Sequence, residues 1–343
     1  MTIAAPPFHL TELIRRCAGG RHLEADEAET AFGMILDGAA TQAQTAALLA
    51  ILARNGESAA ELAGAVRAVR ARGRRVQSAR RPLLDVCGTG GDHSGSFNIS
   101  TATALVVAGA GVAVAKHGNR AMTSRSGSAD VLEAAGVDLQ RSAATAEASL
   151  ASAGVAFLYA QAFHPALQAV APVRREIGIR TLFNLIGPLC NPAELTHQIV
   201  GVTDRRSMQT MLAVLAMLGR NRAAVVCAAD GMDEVSVTAA THVMEWTGSR
   251  VLEYEIAPEM IGLPRHAPGA VGGGGPQENL AILRRLLDGW DGAHRDIVVL
   301  NAALALQIAG AAPDLSGAAE LAQSSIDGGG AARALAALIA ASC

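Results

Sequence analysis

The sequence predicts an α/β protein: a small N-terminal bundle of helices, then a large domain whose mainly parallel sheet is flanked by helices. Three observations predict it. The chain has 343 residues, and a single hydrophobic core stops growing at about 250–300 residues, so two domains are expected. Residues 1–75 carry only helical periodicity. Beyond a composition shift at 73–82, short apolar runs alternate with helical segments, which is the pattern of repeated βα units.

Taken in order, Leu10, Leu13, Ile14 and Cys17 share one helical face. Asp26 with Glu29, Thr41 with Gln44, and Ser58 with Glu61 have capping-box spacing. Helix stops follow at Gly38, at Asn55-Gly56 and at Gly73. The arginine-rich stretch 67–81 reads as a solvated helix end and linker in preference to a phosphate patch. Strands are expected over 83–87, 112–115, 155–159, 198–202 and 223–227, with a helix near 101–110. Segments 278–287 and 296–309 read as helices packing on the sheet, and 272–275 as a flexible loop.

Composition bounds the rest. Hydrophobic residues make up 50% and charged residues 17% of the chain, which excludes disorder over most of it. Aromatic residues are only 3%, so the core must be Ala, Val, Leu and Ile on closely approaching helices. Stacking platforms for single-stranded nucleic acid are lacking. Lys and Arg number 28 against 31 Asp and Glu, giving a net charge of −3 and no global field for polyanions. Cys17, Cys87, Cys190, Cys227 and Cys343 are scattered, with no C-x-x-C pair, and read as reduced thiols. The stretch 1–17 lacks a signal-peptide pattern, and the apolar run 102–115 is short for a membrane span. A cytoplasmic protein with neither nucleic-acid nor membrane partners is expected.

In open parallel sheets, ligands bind beyond the C-terminal ends of the strands. The first strand runs into Gly88-Thr89-Gly90-Gly91-Asp92-His93, followed by Ser96, Asn98, Ser100 and Thr101. Glycines allow backbone N–H groups close to an anion, and the next helix adds its positive end. No Gly-Lys-Ser/Thr closes this loop, and His93 stands where a dinucleotide fingerprint needs its third glycine. The second strand ends in Lys116-His117-Gly118-Asn119-Arg120, and a hydroxyl-rich turn spans 123–130. Each feature has a plain alternative: a tight turn, helix caps at Ser128 and Asp130, or a structural histidine at 117. Together, two adjacent strand ends present anion-binding groups, which points to a ligand carrying more than one phosphate. No Cys/His cluster has zinc spacing.

Those motifs recur in order with Arg174-Arg175-Glu176-Ile177-Gly178-Ile179-Arg180-Thr181-Leu182-Phe183-Asn184, Gly187-Pro188-Leu189-Cys190-Asn191-Pro192 and Asp230-Gly231-Met232-Asp233-Glu234. The ordered set resembles the anthranilate phosphoribosyltransferases over almost the whole chain. The resemblance implies a helical domain over 1–75, with part of 165–192 returning to it, and an α/β domain over 76–343. It also implies a homodimer built through the helical domain. The implied reaction transfers the phosphoribosyl group of phosphoribosyl pyrophosphate to the amine of anthranilate, a step of tryptophan biosynthesis. By correspondence, phosphoribosyl pyrophosphate would be held by Gly88, Gly91, Asp92, Ser96, Asn98, Ile99, Ser100, Thr101, Lys116, His117, Gly118, Asn119, Arg120, Ala121, Met122, Thr123, Ser124 and Ser128. Anthranilate would meet Gly88, Asn119 and Arg174, whose planar guanidinium can grip a carboxylate bidentately. Mg²⁺, a hard ion satisfied by few carboxylates plus phosphates and water, would take Ser100, Asp233 and Glu234.

The resemblance implies no firm catalytic base, and His117 is the one candidate to accept a proton late. His93 departs from a common glycine, Thr123 and Arg125 replace Ser and Lys, and 274–279 is a variant loop. Two rival readings are a pyrimidine-nucleoside phosphorylase of the same fold and a non-catalytic nucleic-acid-binding relative. Lys116 to Arg120 and Arg174 oppose the first. Net acidity and the Asp233-Glu234 pair oppose the second.

Overall fold

The computed structural model describes residues 9–121 and 124–342. Met122 and Thr123, two of the expected ligand contacts, and Cys343 lie outside the described residues. The chain divides into two units, one of Met1–Arg75 with Phe163–Pro192 and one of Val76–Ala162 with Ala193–Cys343. The first unit begins with α1 (Leu10–Ala18), α2 (Ala25–Leu36), α3 (Gln42–Asn55) and α4 (Ala59–Ala71). The chain then builds β1 (Leu83–Gly88), α5 (Ile99–Gly109), β2 (Ala113–Gly118), α6 (Ser128–Ala135), α7 (Ser142–Ala153), β3 (Val155–Tyr159) and the short α8 (Ala160–Phe163). It returns to the first unit for α9 (Ala171–Ile177). The rest comprises β4 (His197–Gly201), α10 (Met208–Met217), β5 (Arg222–Ala228), β6 (Thr241–Trp246), β7 (Val251–Ile256), α11 (Pro276–Leu287), α12 (Ala293–Ile308), α13 (Leu315–Asp327) and α14 (Gly330–Ser342).

In the helical unit, α1 buries Leu10, Leu13 and Cys17, with Ile14 at the edge of that face. Two of the expected capping boxes open helices. Gln44 N–H donates to Thr41 Oγ1 at 3.2 Å and Glu61 N–H donates to Ser58 Oγ at 3.2 Å, each with the reciprocal bond. The third does not: α2 is capped by Glu24 and Glu27, not by Asp26 and Glu29. Buried Glu61 accepts the Leu23 N–H at 2.9 Å, which fixes the chain so that the helix opens at Ala25. Asp26 and Glu29 instead pair with Arg67 at 2.7 and 2.8 Å. Small residues let α2 and α4 approach closely, since a Cβ on Gly64 would overlap the Ala25 carbonyl and lie 2.6 Å from the Ala28 Cβ.

Among the described residues of the second unit, the strands form one sheet in the order β3-β2-β1-β4-β5-β6-β7. The pairs from β3 through β5 are parallel, and β6 and β7 add an antiparallel hairpin at one edge. The five expected strands are β1 to β5: β3 has the expected bounds, and the others differ by up to three residues at their ends. The hairpin was not expected. β6 buries only alternate residues and β7 only Ile256, so they lack the apolar runs of the central strands. Strand order reverses between β1 and β4, so the crevice beyond Gly88 and Gly201, which lie opposite each other, is the topological switch point. α12 is buried on every side from Ile297 to Leu306, as befits a helix apolar all round. Among the described residues, no helix is long and apolar enough to cross a membrane, and Cys17, Cys87, Cys190 and Cys227 are free thiols.

Gly64→Ala is expected to destabilise the protein by about 1–3 kcal/mol through overpacking of α2 against α4. Urea denaturation checks this, and an unchanged midpoint would contradict so tight a helix pair.

Candidate functional site

The switch point is filled by one loop. Asp233 follows β5, and its carboxylate and backbone carbonyl press against the ends of β1 and β4. A Cβ on Gly88 would collide with the Asp233 carboxylate, and a Cβ on Gly201 with its carbonyl. Both strand ends therefore require glycine for close approach. The glycine loop is tied to the same residue: Gly90 N–H donates to Asp233 Oδ2 at 2.6 Å, and Thr89 N–H donates to Gly201 O at 2.9 Å. Backbone in the loop is left-handed at Gly90, Gly91, His93 and Gly95. His93, at φ 54°, holds a left-handed conformation that glycine adopts without steric penalty.

Carboxylates crowd this point. Asp233 is 8% exposed. Burial, and then the neighbouring Asp92 carboxylate, push its pKa up to about 6. Glu234 is pushed well above the usual range by burial and by Asp233, against the pull of Lys116 and a hydrogen bond from the Ser100 backbone. Lys116, on β2 and 3% exposed, donates through Nζ to the His117 carbonyl at 3.1 Å. Gly88, Gly91, Asp92, Ser100, Lys116, Asp233 and Glu234 thus belong to one strand-end cluster. Among the described residues, no three His, Cys, Asp or Glu side chains form a complete metal cage. Burial that disfavours two adjacent carboxylate charges, with cationic relief only from Lys116, suits a hard cation whose remaining ligands are water and phosphate.

The far half of the glycine loop is held from elsewhere. Phe97 N–H donates to Val271 O at 3.1 Å, Gly273 N–H to Gly95 O at 2.8 Å, and Ser96 bridges Gly272. Asn98 is fixed between Ser126 O and the Asn279 amide, at 3.1 and 2.8 Å. The loop 272–275 is therefore pinned by hydrogen bonds. Ile99 is buried at the start of α5, where Thr101 places a buried hydroxyl.

The loop after β2 is braced by α6. Asp130 Oδ2 accepts from both Ala121 N–H and Gly127 N–H at 2.9 Å, so it caps the helix and also holds the loop. The Arg120 guanidinium lies on Asp130 and Glu133 at 3.0 and 2.7 Å, spending its charge within the protein. Asn119 presents its carbonyl to Ser128 Oγ at 3.3 Å, and Gly118 sits beneath that hydroxyl. Ser124 Oγ donates to Ser126 O at 3.3 Å, and Arg125 pairs with Glu278 at the surface. His117 is only 4% exposed, and its backbone N–H donates to Asp85 Oδ1 at 3.2 Å, which builds the residue into the sheet. Asp85, Asp130 and Asn279 were not singled out as supports of the site.

Arg174 belongs to the helical unit. It stands at the end of α9 with its guanidinium 5.4 Å from the centre of the Phe183 ring, and Phe183 in turn meets Phe32 edge-on. Burial alone lowers its pKa. This half-buried guanidinium, which has no hydrogen-bonding partner in that stack among the described residues, suits an anionic ligand.

Known proteins share this organisation. Residues 11–73 match the helical bundle domain, and residues 80–332 the α/β domain, of a glycosyl transferase family. An anthranilate phosphoribosyltransferase of Rubrobacter xylanophilus is 48% identical over 327 residues, 95% of each chain. The crystal structure of the anthranilate phosphoribosyltransferase of Thermus thermophilus superposes with a TM-score of 0.89 at 41% identity, covering 96% of this chain and 98% of that one. That of Saccharomyces cerevisiae, solved with phosphoribosyl pyrophosphate and Mg, gives 0.89 at 26% identity and covers 97% of both.

Two outcomes are expected. Gly88→Ala displaces Asp233 and costs about 1–3 kcal/mol, read as a lowered denaturation midpoint. A raised carboxyl pKa means that the native state holds a proton that a cation must displace. Cation binding therefore tightens as pH rises through about 6. The rise in melting temperature on adding a divalent cation should be larger at pH 7.5 than at pH 5, and absent in Asp233→Asn. Equal shifts at both pH values would remove these carboxylates as ligands.

Proposed function

The chain belongs to the anthranilate phosphoribosyltransferase family, and we propose that the loops at the ends of β1, β2 and β5 carry out its reaction. That reaction moves the phosphoribosyl group of phosphoribosyl pyrophosphate onto the amine of anthranilate, in tryptophan biosynthesis. The bond from C1 of the ribose to pyrophosphate breaks, and a bond from C1 to the anthranilate nitrogen forms.

The observation that carries the residue assignment is the 2.6 Å hydrogen bond from Gly90 to Asp233, because it joins the phosphate loop and the acidic turn into one site. Backbone N–H groups at Gly91 and the start of α5, with Ser96, Asn98, Ser100 and Thr101, cradle the phosphates. Lys116 offsets their charge. Gly118, Asn119, Ala121, Ser124 and Ser128 shape the ribose side, and Arg120 braces them from behind. Mg²⁺ held by Asp233, Glu234 and Ser100 would neutralise charge that builds on the departing pyrophosphate. The complex of the yeast relative with phosphoribosyl pyrophosphate and Mg supports this choice of ion.

Anthranilate's amine is neutral at pH 7 and already nucleophilic. Alignment can therefore supply the acceleration without a general base, which fits the burial of His117. By correspondence with the family, Arg174 is assigned to the anthranilate carboxylate, and Gly88 and Asn119 to its ring and amine. Family membership supports a homodimer formed through the helical unit, and the free thiols support a reducing, cytoplasmic setting.

Anthranilate fluorescence should fall only when phosphoribosyl pyrophosphate and Mg²⁺ are both present, and chelation should stop it. Arg174→Ala should raise the KM for anthranilate by roughly 10- to 100-fold, since a charge-assisted bidentate contact is worth about 1.5–3 kcal/mol. The KM for phosphoribosyl pyrophosphate should hardly move. Equal loss for both substrates would overturn the role given to Arg174, and phosphorolysis of thymidine would overturn the reaction.

A further inference from the structure

Asn301 is a polar side chain in the middle of the most thoroughly buried helix. It is 7% exposed, and the α12 residues around it from Ile297 to Leu306 are all buried. An amide there demands hydrogen bonds. It finds them on a single residue of another element. Asn301 Oδ1 accepts the Val235 N–H at 2.9 Å, and Asn301 Nδ2 donates to the Val235 carbonyl at 2.7 Å. A third bond, from Nδ2 to Ile297 O at 2.8 Å, fixes the amide on its own helix.

Val235 follows Asp233 and Glu234 directly. It is 1% exposed and lies outside any strand, so no ladder satisfies its peptide groups. The Asn301 side chain supplies what a neighbouring strand would. Other contacts in this loop close it on itself: Asp230 accepts from Ser236 Oγ at 2.6 Å and from the Thr238 hydroxyl. A cavity of about 10 Å³ adjoins the turn, lined by Cys87, Thr103, Glu234, Val235, Asn301 and Leu304. Asp233 is set against Gly88 and Gly201 at the strand ends, and the two-point amide contact at Val235 ties the other end of the Asp233-Glu234 turn to α12. The same helix also steadies the other ligand loop. His294 is 2.9 Å from Gly272 O and meets Phe97 edge-on at 5.0 Å.

We propose that Asn301 is a positioning residue: it fixes the Asp233-Glu234 turn against α12, so that both carboxylates reach a divalent cation opposite the glycine loop. This rests on the reading of Asp233 and Glu234 as cation ligands. Partners of metal ligands commonly change metal affinity by about 10- to 100-fold when removed.

The test uses the full-length protein with saturating phosphoribosyl pyrophosphate and follows free Mn²⁺ by its electron paramagnetic resonance signal. Asn301→Leu keeps the heavy-atom count and the branching at Cγ and removes both bonds. Asn301→Ser also removes them but leaves room for water at Val235, and so carries the test if the leucine variant does not fold. Leu304→Ala is the packing control: it enlarges the same cavity without touching the amide. Asp233→Asn probes the cation reading itself. We expect both Asn301 variants to weaken Mn²⁺ binding by about 10-fold or more, with the KM for anthranilate unchanged. Leu304→Ala should lower the melting temperature and keep wild-type Mn²⁺ affinity. Wild-type affinity in the Asn301 variants, or an equal loss in Leu304→Ala, would leave Asn301 a purely structural residue and overturn the proposal. Unchanged affinity in Asp233→Asn would instead show that the turn is not the cation site, and the proposal would fall with that reading.

Discussion

The contact of Asp233 with two glycines at the strand-order reversal is the constraint on which the site depends. Gly88 and Gly201 end adjacent parallel strands in register, and the absence of side chains on both lets a third loop enter between them. Once inside, Asp233 takes the Gly90 N–H and fixes the conformation of the glycine loop. Position and charge are thereby set together. The carboxylate that shapes the proposed phosphate loop is the one proposed to face the counterion of that phosphate.

This arrangement opposes stability without ligand. Burial and mutual repulsion disfavour the ionised forms of Asp233 and Glu234, and Lys116 relieves only part of that. A site that binds a polyanion with its cation gains by holding carboxylates where water alone solvates them poorly. The surrounding scaffold supplies the compensation. Asp130 ties the second loop to α6, Asn279 ties Asn98 to α11, and the core helix α12 lies behind. Arg120 illustrates the division of labour. It sits within a motif rich in anion-binding groups, yet its guanidinium is held by Asp130 and Glu133, and its work is to stiffen the loop.

Much of this was legible in the sequence wherever the signal is local. β1 to β5 are continuous apolar runs because both of their faces are covered, and they stand out as such. Thr41 with Gln44 and Ser58 with Glu61 cap helices as their local spacing predicts, Glu61 even while it also holds Leu23. At Asp26 a distant residue does compete: Glu61 holds Leu23, and the helix starts earlier. The β6–β7 hairpin escaped because its strands alternate burial and read as polar. In the site, the glycine loop, Lys116 and the Asp233-Glu234 pair are contiguous motifs. The supports were not legible as such, because each partner is remote along the chain. Asp85 within 83–87 and Asn301 within 297–306 do leave a trace, a polar residue interrupting an otherwise apolar run. Such an interruption marks a buried hydrogen-bonding duty without saying to whom.

The helical unit is discontinuous, with 163–192 inserted after three strands of the other unit have been built. A ribosome emitting this chain therefore releases α1 to α4 long before α9 and Arg174 exist. Completion of either unit then requires contacts distant in sequence, which raises contact order and slows folding relative to two independent, consecutive domains. The nesting has an evolutionary corollary. Neither unit can be exchanged or trimmed as a cassette, because every cut that frees one severs the other.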